Sequence, residues 1–373
     1  MKNKIHNYNF LVVGAGLIGS LAALHLLKKG YSVLVLDKNL NTFSDNRTLA
    51  VNANSKDFLI NLGLWEKLKS KPQNIDKIII KDNINNSPLV LENKHEEMGN
   101  VIFNTELLSV SRDELLSKKI LFEQKNLSIS KLCPKKIIIL NNHKYKFENI
   151  ILSLGKKFSD NSIIKKYTLP TPHNSFVGFF NHTLGHNQTA YEIFTSDGPL
   201  AVLPSPQRLQ KCSTFIYSTK NNLSKKDILK LLKYNFSKTH GNITLDKNLY
   251  KYDLLPHLSK DKYKKYFLIG DTLRSIHPVA GQGWNLGIKD IQHLSKVFDQ
   301  HNPLDPQIIH KYYSQRTIEN FSYLSFTSII NLLYENQNSL SKVLIKSAFK
   351  TFQNSELLRN IFIRQAMGRL NLI

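Results

Sequence analysis

The chain has 373 residues, 41% hydrophobic and 21% charged, which is ordinary globular composition with room for two cores and no low-complexity linker. Its two cysteines, Cys133 and Cys212, stand outside any C-x-x-C and are too few for a disulfide framework or a zinc site, so a reducing, cytoplasmic setting is expected. The formal charge of +23 and isoelectric point near 9.7 admit two readings, attraction to an anionic surface such as a membrane leaflet or a general richness in Lys, Asn and Ile, and no basic run interleaved with aromatics marks a nucleic-acid groove.

Phe10-Leu11-Val12-Val13 reads as a buried parallel strand, continuously apolar and β-branched before a glycine. Leu17–Lys29 reads as a helix closed by Gly30, and Val33–Leu36 as a second strand ending at Asp37. The apolar stretch Phe10–Leu27 after Lys2 and Lys4 superficially resembles a secretory signal. Its three glycines at dinucleotide-loop spacing, followed by a second strand, argue against that. No other segment reaches ~18 uninterrupted apolar residues, so no transmembrane helix is expected.

Ser55–Lys69 has a helical apolar side. Ile75–Leu91 turns to short strands with polar turns, and Asn104–Ile120 returns to helical periodicity. Lys135–Leu140 and Ile150–Leu154 read as strands rejoining the first sheet, and Phe176–Tyr217 is again strand-rich. Lys225–Tyr234 reads as a helix, Phe267–Ile269 as a buried strand entering Gly270-Asp271, and Trp284–Phe298 as the helix behind it; beyond Asn302 the pattern is helical. The expected fold class is α/β with an α+β second domain: a Rossmann-like dinucleotide-binding domain interleaved with a sheet-rich substrate domain, and a helical C-terminus. Cofactor segments are placed at 1–74, 101–165 and 263–320, substrate segments at 75–100 and 166–262, and C-terminal helices at 321–373.

Gly14-Ala15-Gly16-Leu17-Ile18-Gly19 is the stronger for its strand–helix–strand context. Gly14 permits the tight turn, Gly16 lets backbone approach a pyrophosphate, and Gly19 lets the helix pack on the strand, with the helix N-terminus meeting the phosphate charge. Asp37 ends the second strand where a carboxylate can accept adenosine ribose hydroxyls, which disfavours a 2′-phosphate there. Far downstream, Asp271 is suited to a ribityl chain. Pro278, Gly281, Gln282 and Gly283 form a helix start whose N–H groups can stabilise negative charge at the flavin N1–C2 edge. An early grip on adenosine and a late grip on the flavin point to FAD.

These motifs make the chain resemble the class A flavoprotein monooxygenases of the p-hydroxybenzoate hydroxylase fold, and within them the ubiquinone-biosynthesis hydroxylases. Asp45–Ala50, with Arg47, is similar to that family's early arginine motif, and Met98–Asn104 to the approach to its next helix. Tyr191–Pro204 resembles its substrate-domain signature and Gly270–Ile291 its flavin-ribityl motif, Gly270 and Asn285 included. The resemblance implies that Arg47 binds the FAD pyrophosphate region. It also implies that reduced flavin and O2 give a C4a-hydroperoxide that hydroxylates the aromatic ring of a polyprenylated phenol. The electron donor would be NAD(P)H or a ferredoxin-type protein. The setting would be the cytoplasmic face of the inner membrane, with peripheral contact there and with a ubiquinone-biosynthesis complex. No metal ligand and no general base are expected. His277, beside the flavin loop, is a catalytic candidate or a turn residue, and Arg274 an anion contact or a solvated charge.

Two positions depart from the family pattern. Leu154 stands where an A-D-G-x-x-S motif has its acid, and Asn104-Thr105 replaces Asn-Arg, with Arg112 two turns on and not expected to substitute directly. These departures put FAD affinity and direct reduction by NAD(P)H in question. They also keep two rival readings open: a flavin hydroxylase or reductase for another aromatic or isoprenoid, and a catalytically silent scaffold. The apolar stretch from Phe321 is read as a channel wall, a membrane-facing or partner surface, or a core cover.

Overall fold

A computed structural model describes residues 5–40, 47–125, 129, 136–140, 142–158, 162–168, 174–206, 211–276, 282–336 and 338–369. Its centre is a parallel sheet. Strand Ile5–Val13 lies between His143–Leu152 and Val33–Asp37, with Phe267–Leu268 and Leu121–Glu123 beyond them; Ile137–Leu140 adds an antiparallel edge. Alternate residues of these strands fill two separate cores. Phe10, Val12, Val33, Val35 and Ile151 pack on one face, while Leu11, Val13, Leu34, Leu36 and Leu152 pack on the other. Burial on both faces is why these strands read as unbroken apolar runs.

The helices are α1 (Leu17–Lys28), α2 (Ala53–Asn61), α3 (Asn104–Ser117), α4 (Lys225–His240), α5 (Gln282–Gln300), α6 (Ile308–Asn336), α7 (Ser339–Asn354) and α8 (Glu356–Ala366). Helix α2 starts where Asn52 accepts a bond from the Ser55 N–H at 2.9 Å. It ends at Asn61, short of the expected Lys69, because Gly63 turns the chain at φ +67° and only a 3-10 turn, Trp65–Lys67, follows. Helix α4 runs past the expected Tyr234 to His240, anchored at its start by a reciprocal Ser224–Asp227 cap. Among the described residues no helix is long and apolar enough to cross a membrane.

A second, seven-stranded sheet has the order Ile243–Asp253, Asn174–His182, Cys212–Thr219, Gly198–Pro204, Thr189–Thr195, Lys77–Asp82, Leu89–Glu92. All its pairings are antiparallel except Thr189–Thr195 with Lys77–Asp82. One face carries Tyr191, Ile193, Phe180 and Phe215 against α4. The other carries Ile78, Ile80, Ala190 and Phe194 toward α6, α7 and α8. A small sheet of Thr48–Asn52, Gly99–Phe103 and Gln73–Ile75 lies at the junction.

The cofactor domain is closed by a buried ion cluster. Asp290 of α5 is 0% exposed; it accepts the Gly270 N–H at 2.9 Å, Arg274 Nη1 at 2.7 and 2.9 Å, and Arg316 Nε and Nη2 of α6 at 2.9 and 2.6 Å. Removing the carboxylate leaves the buried Arg274 guanidinium without its carboxylate partner and Arg316 with Glu319 alone. Asp290→Ala is expected to lower stability by about 3–5 kcal/mol, measured by urea unfolding of the apoprotein. A loss under ~1 kcal/mol would mean the cluster behaves like a surface pair.

Beneath the second sheet three buried histidines meet. The rings of His182 and His240 lie 4.6 Å apart, and those of His182 and His186 lie 6.1 Å apart. Burial, then repulsion from His182, lowers His186 to about 4 and His240 to about 3. Unfolded histidine titrates near ~6.5, so below that pH the unfolded chain binds protons that the folded chain refuses. Stability should therefore fall as pH drops from about 6.5 toward 4. His240→Leu should flatten that slope by up to ~1.4 kcal/mol per pH unit between pH 6 and 4. An unchanged slope would show that the ring is not held neutral.

Candidate cofactor groove and substrate cavity

The first strand ends at a glycine turn. Gly14 has φ +103°, and a Cβ there would lie 2.1 Å from the Ser153 carbonyl oxygen. At Gly19 a Cβ would lie 1.8 Å from the Gly14 carbonyl oxygen, so α1 touches the turn and tolerates no side chain there. Gly16 differs: a Cβ would meet nothing within 4 Å. It is also the N-cap of α1, which has no side-chain cap and no acid in its first turn. The free N–H groups of this helix end thus face open space, which suits the pyrophosphate of a dinucleotide.

Asp37 receives the Ala15 N–H at 2.5 Å and the Asn39 N–H at 2.9 Å, so it also fixes the turn. Arg112 of α3 completes that support. Its Nε donates to the Ala15 carbonyl at 2.8 Å and its Nη1 to the Leu40 carbonyl at 3.0 Å, with Nη2 3.9 Å from Asp37. The sequence reading set Arg112 aside; the helix geometry brings it behind the glycine turn.

The distant motif arrives beside the first through packing. Ile18 fills the gap between Gly270 and Gly287: a Cβ at Gly270 would lie 3.2 Å from Ile18, and one at Gly287 2.5 Å from its Cδ1. Leu17 packs on the first core. Asp271 follows in a 3-10 turn and stays open to the groove. The protein packed around it raises its carboxyl above the ordinary value, while Lys156, His257, Arg274 and Arg47 pull the other way. His257 steadies it from below, its Nε2 3.0 Å from the Asp271 carbonyl oxygen.

Leu154, the departure from the family acid, is accommodated by the fold. Its side chain packs on the second core, and its N–H and that of Gly155 both donate to Thr272 Oγ1. Arg47 lies over the Tyr252 ring at 5.0 Å, and Lys156 over the same ring at 6.0 Å. Arg274 is buried in the Asp290 cluster, which answers whether it is solvated. His277, Pro278 and Gly281 lie outside the described residues. Gln282 and Gly283 open α5, and a Cβ at Gly283 would meet nothing within 4 Å. Asn285 turns its amide to the small sheet, donating to the Ala50 carbonyl at 2.8 Å and accepting from the Asn52 N–H at 3.2 Å.

An open, uncapped helix end, a groove-facing carboxylate and a second glycine-bearing helix start form a donor and acceptor set that fits FAD. Gly16, α1, Asp37 and Asp271 are the groups that would hold it, and the group when bound would supply redox chemistry that no side chain provides.

Asn285 and Ala50 to Asn52 also line a cavity of about 730 Å³ between the second sheet and the C-terminal helices. Its walls are almost wholly apolar: Ile78, Ile80 and Phe194 from the sheet, Phe326 and Leu333 from α6, Phe349 from α7. That volume lies in the usual range for small-molecule sites. Glu192, 5% exposed, projects from the same sheet face as Ala190 and Phe194 and brings a carboxyl to the lining. Only the period-two alternation of Thr189–Thr195 signals its direction in the sequence.

Residues 7–123 match the family model for an FAD binding domain. The p-nitrophenol 4-monooxygenase of Pseudomonas putida superposes with a TM-score of 0.73 at 12% identity, covering 99% of this chain and 100% of that one. The chain is accordingly a flavoprotein with the fold of the class A monooxygenases. Its sequence relatives place it beside the ubiquinone hydroxylases. It is 26% identical to ubiquinone hydroxylase UbiL of Rhodospirillum rubrum, over 97% of this chain and 90% of the relative. It is 23% identical to ubiquinone hydroxylase UbiM of Neisseria meningitidis, over 96% and 84%.

The glycines separate folding from cofactor binding. Gly19→Ala should destabilise the apoprotein, because its Cβ meets backbone. Gly16→Val should leave the apoprotein's melting temperature within about 2 °C of wild type. It should also abolish the rise in melting temperature that added FAD gives. Retention of that rise would remove Gly16 from the cofactor groove.

Proposed function

We propose that this flavoprotein hydroxylates the aromatic ring of a polyprenylated phenol in ubiquinone biosynthesis, using O2 and electrons from NAD(P)H or a ferredoxin-type donor, at a membrane surface. The observation that carries this reading is the cavity: a largely apolar chamber of about 730 Å³ whose lining includes Asn285 of the flavin-motif helix and Ala50–Asn52. Bound FAD supplies transfer of one oxygen atom from O2 to the ring, the second leaving as water. The protein's own contribution is positioning and exclusion of water. Asn285 ties α5 to the small sheet, holding the flavin-motif helix at a fixed distance from the chamber. The apolar walls bind the tail, each buried methylene adding ~0.8 kcal/mol. Glu192 offers a phenol hydroxyl an acceptor in a largely apolar wall.

The test is turnover of phenols with zero to several isoprene units by the FAD-loaded protein under ¹⁸O2, with NADH, NADPH or a reduced ferredoxin as donor. The expected outcome is a ring product carrying one ¹⁸O atom, with KM falling as the tail lengthens until the chamber is full. A KM indifferent to tail length, with full activity on a free small phenol, would move the substrate class to soluble aromatics. Absence of labelled product with any donor, despite bound flavin, would sink the hydroxylase.

A further inference from the structure

The exposed apolar side chains concentrate around the C-terminal helices. From Asn320 to Tyr334, α6 carries no charged residue. Yet it presents Phe321, Phe326, Ile329 and Leu332 to solvent at 62, 49, 56 and 58%. A helix bathed on that side by water would carry Lys and Glu there. Next to it, α7 exposes Leu340, Val343 and Leu344 at 68, 62 and 49%, while Ile345 and Phe349 face inward. It contains no Asp or Glu, and Lys342, Lys346 and Lys350 follow at intervals of four, forming one row along its exposed side. None of the three forms an ion pair within the described residues. On α8, Leu357 and Ile361 are 71 and 42% exposed.

Four of these exposed residues, Phe326, Ile329, Leu344 and Ile361, also line the cavity. The chamber therefore reaches the surface between α6, α7 and α8, in the middle of the apolar face. We propose that this face docks on an anionic lipid bilayer, with α7 lying in the interface as a basic amphipathic helix, and that the tailed substrate enters the cavity sideways through the mouth between the helices. The proposal rests on the reading of the cavity as a tail-binding chamber.

The chemistry selects this occupant over others. Long apolar side chains beside an unpaired lysine row match the acyl and headgroup layers of an anionic leaflet at once. A second copy seated by a two-fold axis would bring two such rows together without a carboxylate on either α7 to offset them. A protein partner seated on the face would seal the mouth through which the substrate must pass. No helix among the described residues crosses a bilayer, so the contact lies on the surface of the membrane.

The experiment is co-sedimentation of the FAD-loaded full chain with phosphatidylcholine vesicles with and without phosphatidylglycerol, at low and high salt. The expected result is binding to the anionic vesicles that weakens with salt. Lys342→Gln/Lys346→Gln/Lys350→Gln should lower the partition coefficient on the order of a hundredfold. Leu340→Ser/Val343→Ser should weaken it at every salt concentration. Both variants should keep their flavin spectrum and melting temperature, and wild-type turnover of a short-tailed soluble phenol, while losing turnover of a long-tailed phenol embedded in vesicles. Equal binding by wild type and the lysine variant overturns the proposal, as does absence of binding to anionic vesicles. A stable dimer by light scattering that hides the face overturns it in favour of a second copy. Vesicle binding without turnover of any phenol leaves the docking face standing and removes the hydroxylase reading instead.

Discussion

A single buried carboxylate joins the parts of this molecule that meet the cofactor. Asp290 has no access to solvent, yet takes a backbone N–H from Gly270 and three guanidinium nitrogens from Arg274 and Arg316. The Gly270 bond sets the approach to Asp271, and the two arginines fasten the flavin-motif helix to α6. Several donors converge on the carboxylate and Glu319 pairs with Arg316, so two acids face two arginines where isolated burial would be prohibitive. Both helices that Asp290 joins contribute to the cavity lining, α5 through Asn285 and α6 through Phe326 and Leu333. Ile18 performs the apolar counterpart, filling the space left by two glycines so that motifs some 250 residues apart become one site.

What the sequence disclosed best was what depends on local chemistry. A turn needing glycine at φ +103°, a helix end without a side-chain cap and a carboxylate closing a strand each leave a mark in a short window. The resemblance drawn from those windows agrees with the FAD-domain match and the monooxygenase fold. Less legible was whatever depends on which elements meet. Arg112 is not expected to stand in for the missing arginine, and nothing in the sequence shows what it does instead: α3 packs against α1 and delivers its guanidinium to the Ala15 carbonyl. Leu154 read as a lost ligand, whereas its side chain belongs to a core and its backbone to Thr272. Arg274 had two readings, anion contact or solvated charge, and neither included a buried pair with a residue sixteen positions on.

The C-terminal helices show the same limit from the other side. Their apolar periodicity was visible, and it left a core cover, a channel wall and an exposed surface open. The structure divides the residues among these roles by helix face. Tyr334, Ile345 and Phe349 are buried against the second sheet, Leu333 faces the cavity, and Phe321, Leu332 and Leu340 face outward. Hydrophobic periodicity alone does not reveal how much of a stripe a neighbour covers. That depends on where the sheet ends.

The order of strands has a consequence for how the protein is made. In the first sheet, strand Ile5–Val13 is flanked on one side by His143–Leu152, and Phe267–Leu268 completes that edge. In the second, Lys77–Asp82 pairs with Thr189–Thr195. Neither sheet can finish until most of the chain has left the ribosome. The early strands must wait, apolar and with unpaired edges, for partners translated much later. Such long-range closure makes folding slow and leaves sticky intermediates exposed. It also means that a cut at any single point of the chain removes strands from both sheets or deprives them of the helices that cover them. The substrate half is therefore not expected to survive as an independent fragment, and the cofactor half is in the same position.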